Sequence, residues 1–303
     1  MKSFKILAFD GGGIKGALSV GILNRICDKY PTFLDEVDLF AGTSTGSIIA
    51  SLLANNIPVK ELNNLYSLNV ARKIFSPSRF NLFRPKFNNT NLKGIISNYF
   101  DDNFKIGDLK RYVFIPSFNI NGLNKEYWHP VFFNNLSKNE TLGFSVKDAI
   151  LSSSAAPTYF PSYNGFIDGA IVSNSPTAIS LFSASSILGS SCSLENIKLL
   201  SIGTGNSPEK ISGKINKWGI LQWSFHPFSK MKSPLLALLM DGMSDLEDIY
   251  CKEVLKSKYF RINPKISKFI SLDAYQLIPY LRLIADTCDL SDLYNYIENI
   301  YLK

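Results

Sequence analysis

Apolar residues in this chain gather into short dense runs, and glycine-rich or polar turns separate them. Phe4 to Phe9 (FKILAF) is an apolar run of strand length, and Ala17 to Ile26 (ALSVGILNRI) has the density of a buried helix. Between them lies Asp10-Gly11-Gly12-Gly13-Ile14-Lys15-Gly16. The rhythm then repeats. Val37 to Ala41 reads as a short buried strand, Gly42-Thr43-Ser44-Thr45-Gly46 as a turn, and Ser47 to Ala54 (SIIASLLA) as the start of a buried helix. Further helices are predicted over Pro58 to Val70, Asn91 to Phe100 and Val146 to Ser153. Strands are predicted over Tyr112 to Ile120 and Glu126 to Phe133, extending the sheet. Two final helices, Leu272 to Cys288 and Ser291 to Tyr301, have apolar spacing suited to packing on the core or on a second subunit. Strands alternating with helices make this an α/β chain.

Residues 42–46 fit G-x-S-x-G, the pattern of a nucleophile elbow, in which a tight strand-to-helix turn pushes a serine hydroxyl out of the backbone. Gly42 and Gly46 let that turn close, and Ser44 is the candidate nucleophile. The glycine loop at 10–16 follows a strand and opens a helix, so its N–H groups are placed to meet an anion, aided by the helix dipole. Gly11, Gly13 and Gly16 also satisfy the dinucleotide fingerprint G-x-G-x-x-G. The serine elbow on the next strand favours an oxyanion hole instead. No Lys-Ser or Lys-Thr follows at P-loop spacing.

Asp168-Gly169-Ala170 follows the short apolar stretch Phe166-Ile167 and leads into Ile171-Val172-Ser173-Asn174-Ser175-Pro176. By itself Asp-Gly is a turn signal. Together, in this order, DGGGIKG, GTSTG and DGA resemble the patatin-like phospholipase family. Ser153 to Pro157 (SSAAP) and Ser201 to Gly205 (SIGTG) belong to the same resemblance, which covers residues 4–205. It implies a three-layer α/β/α fold with a mostly parallel central sheet. It also implies a Ser44–Asp168 dyad, an oxyanion hole at Gly11, Gly12 and Gly13, and supporting roles for Lys15, Gly16, Gly169 and Ala170.

The histidines agree with a dyad. The chain has two, His129 in Tyr127-Trp128-His129-Pro130 and His226 in Phe225-His226-Pro227, and neither carries a local catalytic signature. An aspartate of ordinary pKa, about 4, is a weak base, so the site must raise it by burial or stabilise the oxyanion strongly. Lys15 has two readings, a grip on a substrate phosphate or a solvated residue at a helix start.

At 303 residues, 46% of them hydrophobic, the chain has ample core, and no linker, repeat or low-complexity tract divides it. The expected organisation is a catalytic core at 1–205 with 206–303 packed on the same domain. The four cysteines are scattered and read as reduced thiols. No calcium-ligand cluster stands out, so neither metal nor cofactor is expected.

Net charge is +7, without a nucleic-acid-binding motif, and no nucleic acid partner is expected. Residues 209–232 hold Trp218, Trp223, Phe225 and Phe228, with five lysines against Glu209 alone. That mixture suits the headgroup level of a bilayer, an anionic ligand, or a cover for the core. Ile74 to Asn89 is an aromatic, basic, proline-punctuated loop of a length that suits a flap over a site. No run reaches the ~18 apolar residues of a membrane span, and the first apolar run is cut at Asp10 before it could be a signal.

Met240 to Asp245 and Tyr259 to Pro264 resemble the tail of compact bacterial patatin-like enzymes, some of which are antiphage effectors gated by a cyclic nucleotide. The resulting expectation is a cytoplasmic serine acyl hydrolase, acting on membrane phospholipid at the inner face of the membrane, with a cyclic-nucleotide activator and a homo-oligomer among its implied partners. The rival is a non-catalytic scaffold that binds lipid or nucleotide without turnover.

Overall fold

All six residues of Phe4–Phe9 are buried, as in a central strand covered on both faces. The computed structural model describes residues 3–78, 83–121, 127–206, 215–224 and 233–303. Among these, seven strands form one sheet: β1 (Phe4–Phe9), β2 (Leu39–Gly42), β3 (Tyr112–Asn119), β4 (His129–Asn134), β5 (Phe166–Asp168), β6 (Ile197–Ile202) and β7 (Tyr259–Ile262). Their order is β4-β3-β2-β1-β6-β7, with β5 paired to β3. Pairings from β3 across to β7 are parallel. β4 and β5 run antiparallel to β3.

The helices are α1 (Gly16–Lys29), α2 (Thr45–Ala54), α3 (Val59–Leu65), α4 (Leu68–Ile74), α5 (Thr90–Ile96), α6 (Val146–Ser153), α7 (Thr177–Leu188), α8 (Ile220–Ser224), α9 (Pro234–Leu255), α10 (Ile278–Thr287) and α11 (Ser291–Tyr296). Alternation along β1 sorts them into layers. Leu7 and Phe9 pack with residues of α1, α2, α6, α10 and α11. Ile6 and Ala8 pack on the opposite face with Leu181 of α7 and with Cys251 and Leu255 of α9. The fold is therefore three-layered, α/β/α, on a mostly parallel sheet.

One detail of register creates the site. β2 pairs with the first residues of β3, Tyr112 to Phe114, and β5 pairs with its last, Ser117 to Asn119. β4 occupies the other edge of β3. β2 and β5 thus lie end to end on one edge, running toward each other, and their C-terminal residues meet where β2 turns into Ser44 and β5 ends at Asp168.

Several boundaries differ from the sequence expectation. The helix predicted over Pro58 to Val70 breaks at Ser67, whose hydroxyl accepts the Val70 N–H (3.4 Å) and starts a new helix, α4. The helix predicted from Leu272 begins only at Ile278, with Pro279 in its first turn. Residues before it form a loop whose Leu272 carbonyl accepts the Ile14 N–H (2.9 Å). α7 and most of α9 were not anticipated. Of the segment 209–232, residues 215–224 are described and the rest, His226 included, lies outside the described residues.

Candidate active site

Ser44 stands between β2 and α2 with φ 54° and ψ −119°, a left-handed conformation that non-glycine residues rarely adopt. Close packing enforces it. A methyl group at Gly42 would lie 2.0 Å from the Gly46 carbonyl oxygen, and one at Gly46 would lie 2.2 Å from the Phe9 carbonyl oxygen. Only glycine fits either place, so the elbow is pressed against the end of β1. The Ser44 N–H donates to Ser153 Oγ (3.0 Å) and the Thr43 hydroxyl to the Ser173 carbonyl (2.7 Å).

Asp168 is buried, its carboxylate accepts the Ala170 N–H (2.8 Å), and the neighbouring Ser44 hydroxyl favours its charged form. Burial pushes its pKa up to about 7, against the lowering effect of those two donors. A carboxylate of ordinary strength has become a base suited to neutral pH. Gly169 lets the turn after β5 approach the Pro116 carbonyl, since a methyl there would sit 2.1 Å from that oxygen.

The glycine loop passes beside the nucleophile: a methyl on Gly11 would be 3.5 Å from Ser44 Cβ. Its members differ in role. The Gly11 N–H donates to the Asn174 carbonyl (2.8 Å), which corrects its assignment as an oxyanion donor. Gly12 lines the cavity that contains Ser44 and Asp168, and Gly13 lines the neighbouring one. Gly13 holds φ 58°. Lys15 is half-buried in the short turn before α1, and Gly16, the first residue of α1, packs on Thr45 and Tyr66.

Ser44 is shared by two cavities. The larger is lined mainly by apolar side chains, among them Ile48, Leu65, Ile74, Phe75, Leu92 and Ile278. The smaller runs past Gly12 and Asp168 beneath Leu236 and Met240 of α9. An acyl chain fits the chemistry of the first. The second brings the Asp168 carboxylate and Ser44 to one opening.

Neighbours without a role in the sequence reading complete the site. Arg261 of β7 forms a buried two-pronged ion pair with Asp10, Nη1 to Oδ1 at 3.0 Å and Nη2 to Oδ2 at 2.5 Å, and also donates to Ser201 Oγ (2.7 Å). The first residue of the glycine motif is thereby tied to the sheet edge. Thr204 Oγ1 donates to the Gly11 carbonyl (2.9 Å). The sequence marks Arg261 as a lone arginine in an apolar strand, inside the stretch Tyr259 to Pro264. Within the predicted flap, Ile74 and Phe75 line the larger cavity, Phe87 stacks edge-on against Phe75, and Lys86 pairs with Asp273; residues 79–82 lie outside the described residues. His129 is in β4 with Nδ1 near the Tyr127 carbonyl (3.1 Å), and it lines neither cavity.

Comparison with known proteins points the same way. The profile of the patatin-like phospholipase family matches residues 7–181. The chain is 30% identical over 318 positions to Protein teg of Priestia megaterium, covering 98% of this chain and 99% of that protein. It is 27% identical over 318 positions to the Putative sporulation hydrolase CotR of Bacillus subtilis, covering 98% of each. It is 27% identical over 293 positions to Probable inactive patatin-3-Kuras 1 of Solanum tuberosum, covering 83% of this chain and 75% of that one.

Proposed function

Because the chain belongs to the patatin-like phospholipase family, we propose that it is a serine acyl hydrolase that cleaves fatty-acyl esters of membrane phospholipids through Ser44 and Asp168. A relative named inactive makes membership alone an insufficient warrant for turnover. The observation that carries the reading is the strained Ser44 beside a buried Asp168 of raised pKa, the two lining one cavity while Ser44 also opens onto a larger apolar one. A scaffold that only binds lipid has no use for that strain.

The cycle has two halves. Ser44 Oγ attacks the ester carbonyl while its proton passes to Asp168. The oxyanion meets the amides of Gly12 and Gly13, donors of a kind whose removal costs on the order of a hundredfold or more in rate. The tetrahedral intermediate expels the alcohol, which takes the proton from Asp168, and leaves an acyl-Ser44 ester. A water then gives its proton to Asp168, attacks the acyl carbon and releases the fatty acid, and Asp168 returns the proton to Ser44.

Peripheral membrane contact is part of the proposal. Among the described residues no helix is long and apolar enough to cross a membrane. Ile220 (83% exposed) and Leu221 (76%) of α8, with Leu235, Leu238 and Leu239 of α9, leave apolar surface beside the smaller cavity. The cyclic-nucleotide gate of antiphage effectors has less behind it. Met240 lines the cavity, Ser244 Oγ accepts from Asn174, and Arg261 holds Asp10, so packing alone accounts for much of that tail.

Fatty-acid release from vesicles of mixed zwitterionic and anionic phospholipid tests the proposal, with wild type, Ser44→Ala and Asp168→Asn compared with and without a panel of cyclic oligonucleotides. Release by wild type, lost in both variants, is expected. Release indifferent to Ser44→Ala, or none under any condition, moves the assignment to a binding scaffold, and release that requires one nucleotide restores the gate.

A further inference from the structure

The segment Ser173 to Thr177, between the Asp168 turn and α7, touches all three motifs, its Ser173 N–H donating to the Gly169 carbonyl (2.9 Å), and lines neither of the two cavities at Ser44. The Ser173 carbonyl accepts the hydroxyl of Thr43, next to the nucleophile. The Asn174 carbonyl accepts the Gly11 N–H of the glycine loop. Ser175 Oγ accepts from Arg261 (3.2 Å), the partner of Asp10. Whatever fixes this segment fixes the elbow, the oxyanion loop and the acid turn relative to one another.

α9 fixes it from behind. Glu247, 5% exposed, accepts the Ser173 hydroxyl on Oε1. Its Oε2 accepts the Ala178 N–H at 2.8 Å and, at longer range, the Thr177 hydroxyl at 3.4 Å and the Ile179 N–H at 3.5 Å. Near it on the inward face of the helix, Ser244 Oγ accepts the Asn174 side-chain amide (3.1 Å). α7 has Pro176 at its cap position and no capping side chain of its own, so a carboxylate from another helix serves its first N–H groups. Burying a carboxylate is unfavourable, and an apolar side chain would serve α9 packing better. Burial does raise its pKa, to about 7.

We propose that Glu247 is a positioning residue for the Ser44–Asp168 reaction, holding the elbow and the glycine loop in register through the segment Ser173 to Thr177. The inference rests on the hydrolase reading above, and the test separates the two. Glu247→Ala and Glu247→Gln are compared with wild type on a soluble short-chain ester, well below each melting temperature. Rates are normalised to the fraction that a fluorophosphonate labels, and backbone amide exchange is followed in the same samples.

Glu247→Ala is expected to lower kcat on the order of 10- to 100-fold with KM within about twofold, the size expected of a misplacement near 1 Å. Glu247→Gln should restore kcat to within about threefold, because its amide oxygen accepts the Ala178 N–H and its amide nitrogen donates to Ser173 Oγ. Exchange at Gly11 and Ala178 should speed up in Glu247→Ala while the β1 interior is unchanged. Wild-type kcat in Glu247→Ala, no recovery in Glu247→Gln, or acceleration spread evenly over the sheet would overturn the proposal. If wild type shows no Ser44-dependent turnover, the hydrolase reading falls, and exchange decides alone: unchanged Gly11 and Ala178 protection in Glu247→Ala refutes the bracing role.

Discussion

Residues 10–46 and residues 236–272 both border the cavities at Ser44, yet they contribute by different physics. The first region works through its backbone. Its glycines stand where carbonyl oxygens of Gly46, Phe9 and Leu272 come within 2.0 to 2.3 Å of any added methyl, and Ser44 holds a positive φ. Few residue types meet such demands, and they meet them within one turn of chain. The second region works through side chains from distant parts of the chain, Arg261 to Asp10, Glu247 to Ser173 and Ser244 to Asn174, and through one backbone carbonyl, Leu272 to Ile14. Reactive geometry is encoded locally, whereas the bracing that keeps it rigid comes from ordinary residues whose work depends on tertiary placement.

Ser44→Ala should break the first region most completely. Fatty-acid release is expected to fall by about 10⁴-fold or more, with the fold intact by circular dichroism. Asp168→Asn comes next, with a loss of about 10³-fold in kcat. Its stability should move the other way. Burial raises the Asp168 pKa, so the folded state binds this proton more tightly than the unfolded chain. The contribution to stability is therefore fullest below pH about 4 and declines as pH rises toward 7. Relative to wild type, Asp168→Asn should therefore be stabilised at pH 8, by at most about 4 kcal/mol for a shift near three units, and should gain nothing of the kind at pH 4. A melting series across pH checks that sign.

Arg261→Met tests the second region. It leaves Asp10 buried and unpaired, and urea unfolding should show a loss of about 3 to 5 kcal/mol. Asp10→Asn combined with Arg261→Met should recover most of it. If the single variant loses activity without losing stability, the pair acts on the glycine loop alone. The smallest effect is expected at the surface. Ile220→Glu with Leu239→Glu should change stability by less than about 0.5 kcal/mol. Vesicle hydrolysis should fall several-fold while short-chain ester turnover stays level, and equal loss on both substrates would remove the membrane role from this surface.

That division decides which features are legible in the sequence alone. Strand β1 and helix α6 appear with the predicted bounds, and the predicted elbow and acid turn come together through β2 and β5 on the edge of β3. Those elements have strong apolar runs or glycines with one use. The apolar neighbours of Leu272 predict a helix start there, but its carbonyl is taken by Ile14 and Pro279 sets the helix start later. The family motif places Gly11 with Gly12 and Gly13 in one oxyanion loop, and only the approach of Asn174 from a distant segment shows that the Gly11 amide is committed elsewhere. Glu247 left a faint trace, an acid on the inward stripe formed by Leu236, Met240, Ser244, Cys251 and Leu255. No local pattern names its partner.

Activation of Ser44 by the buried Asp168 is the step on which the proposed reaction depends. The most direct measurement is the rate of fluorophosphonate labelling against pH, with the adduct located by peptide mass. The predicted result is one adduct on the peptide containing Ser44, a rate that rises through a midpoint near pH 7, and a fall of at least about a hundredfold in Asp168→Asn. An adduct on another serine, or a wild-type profile that Asp168→Asn leaves unchanged, would contradict it.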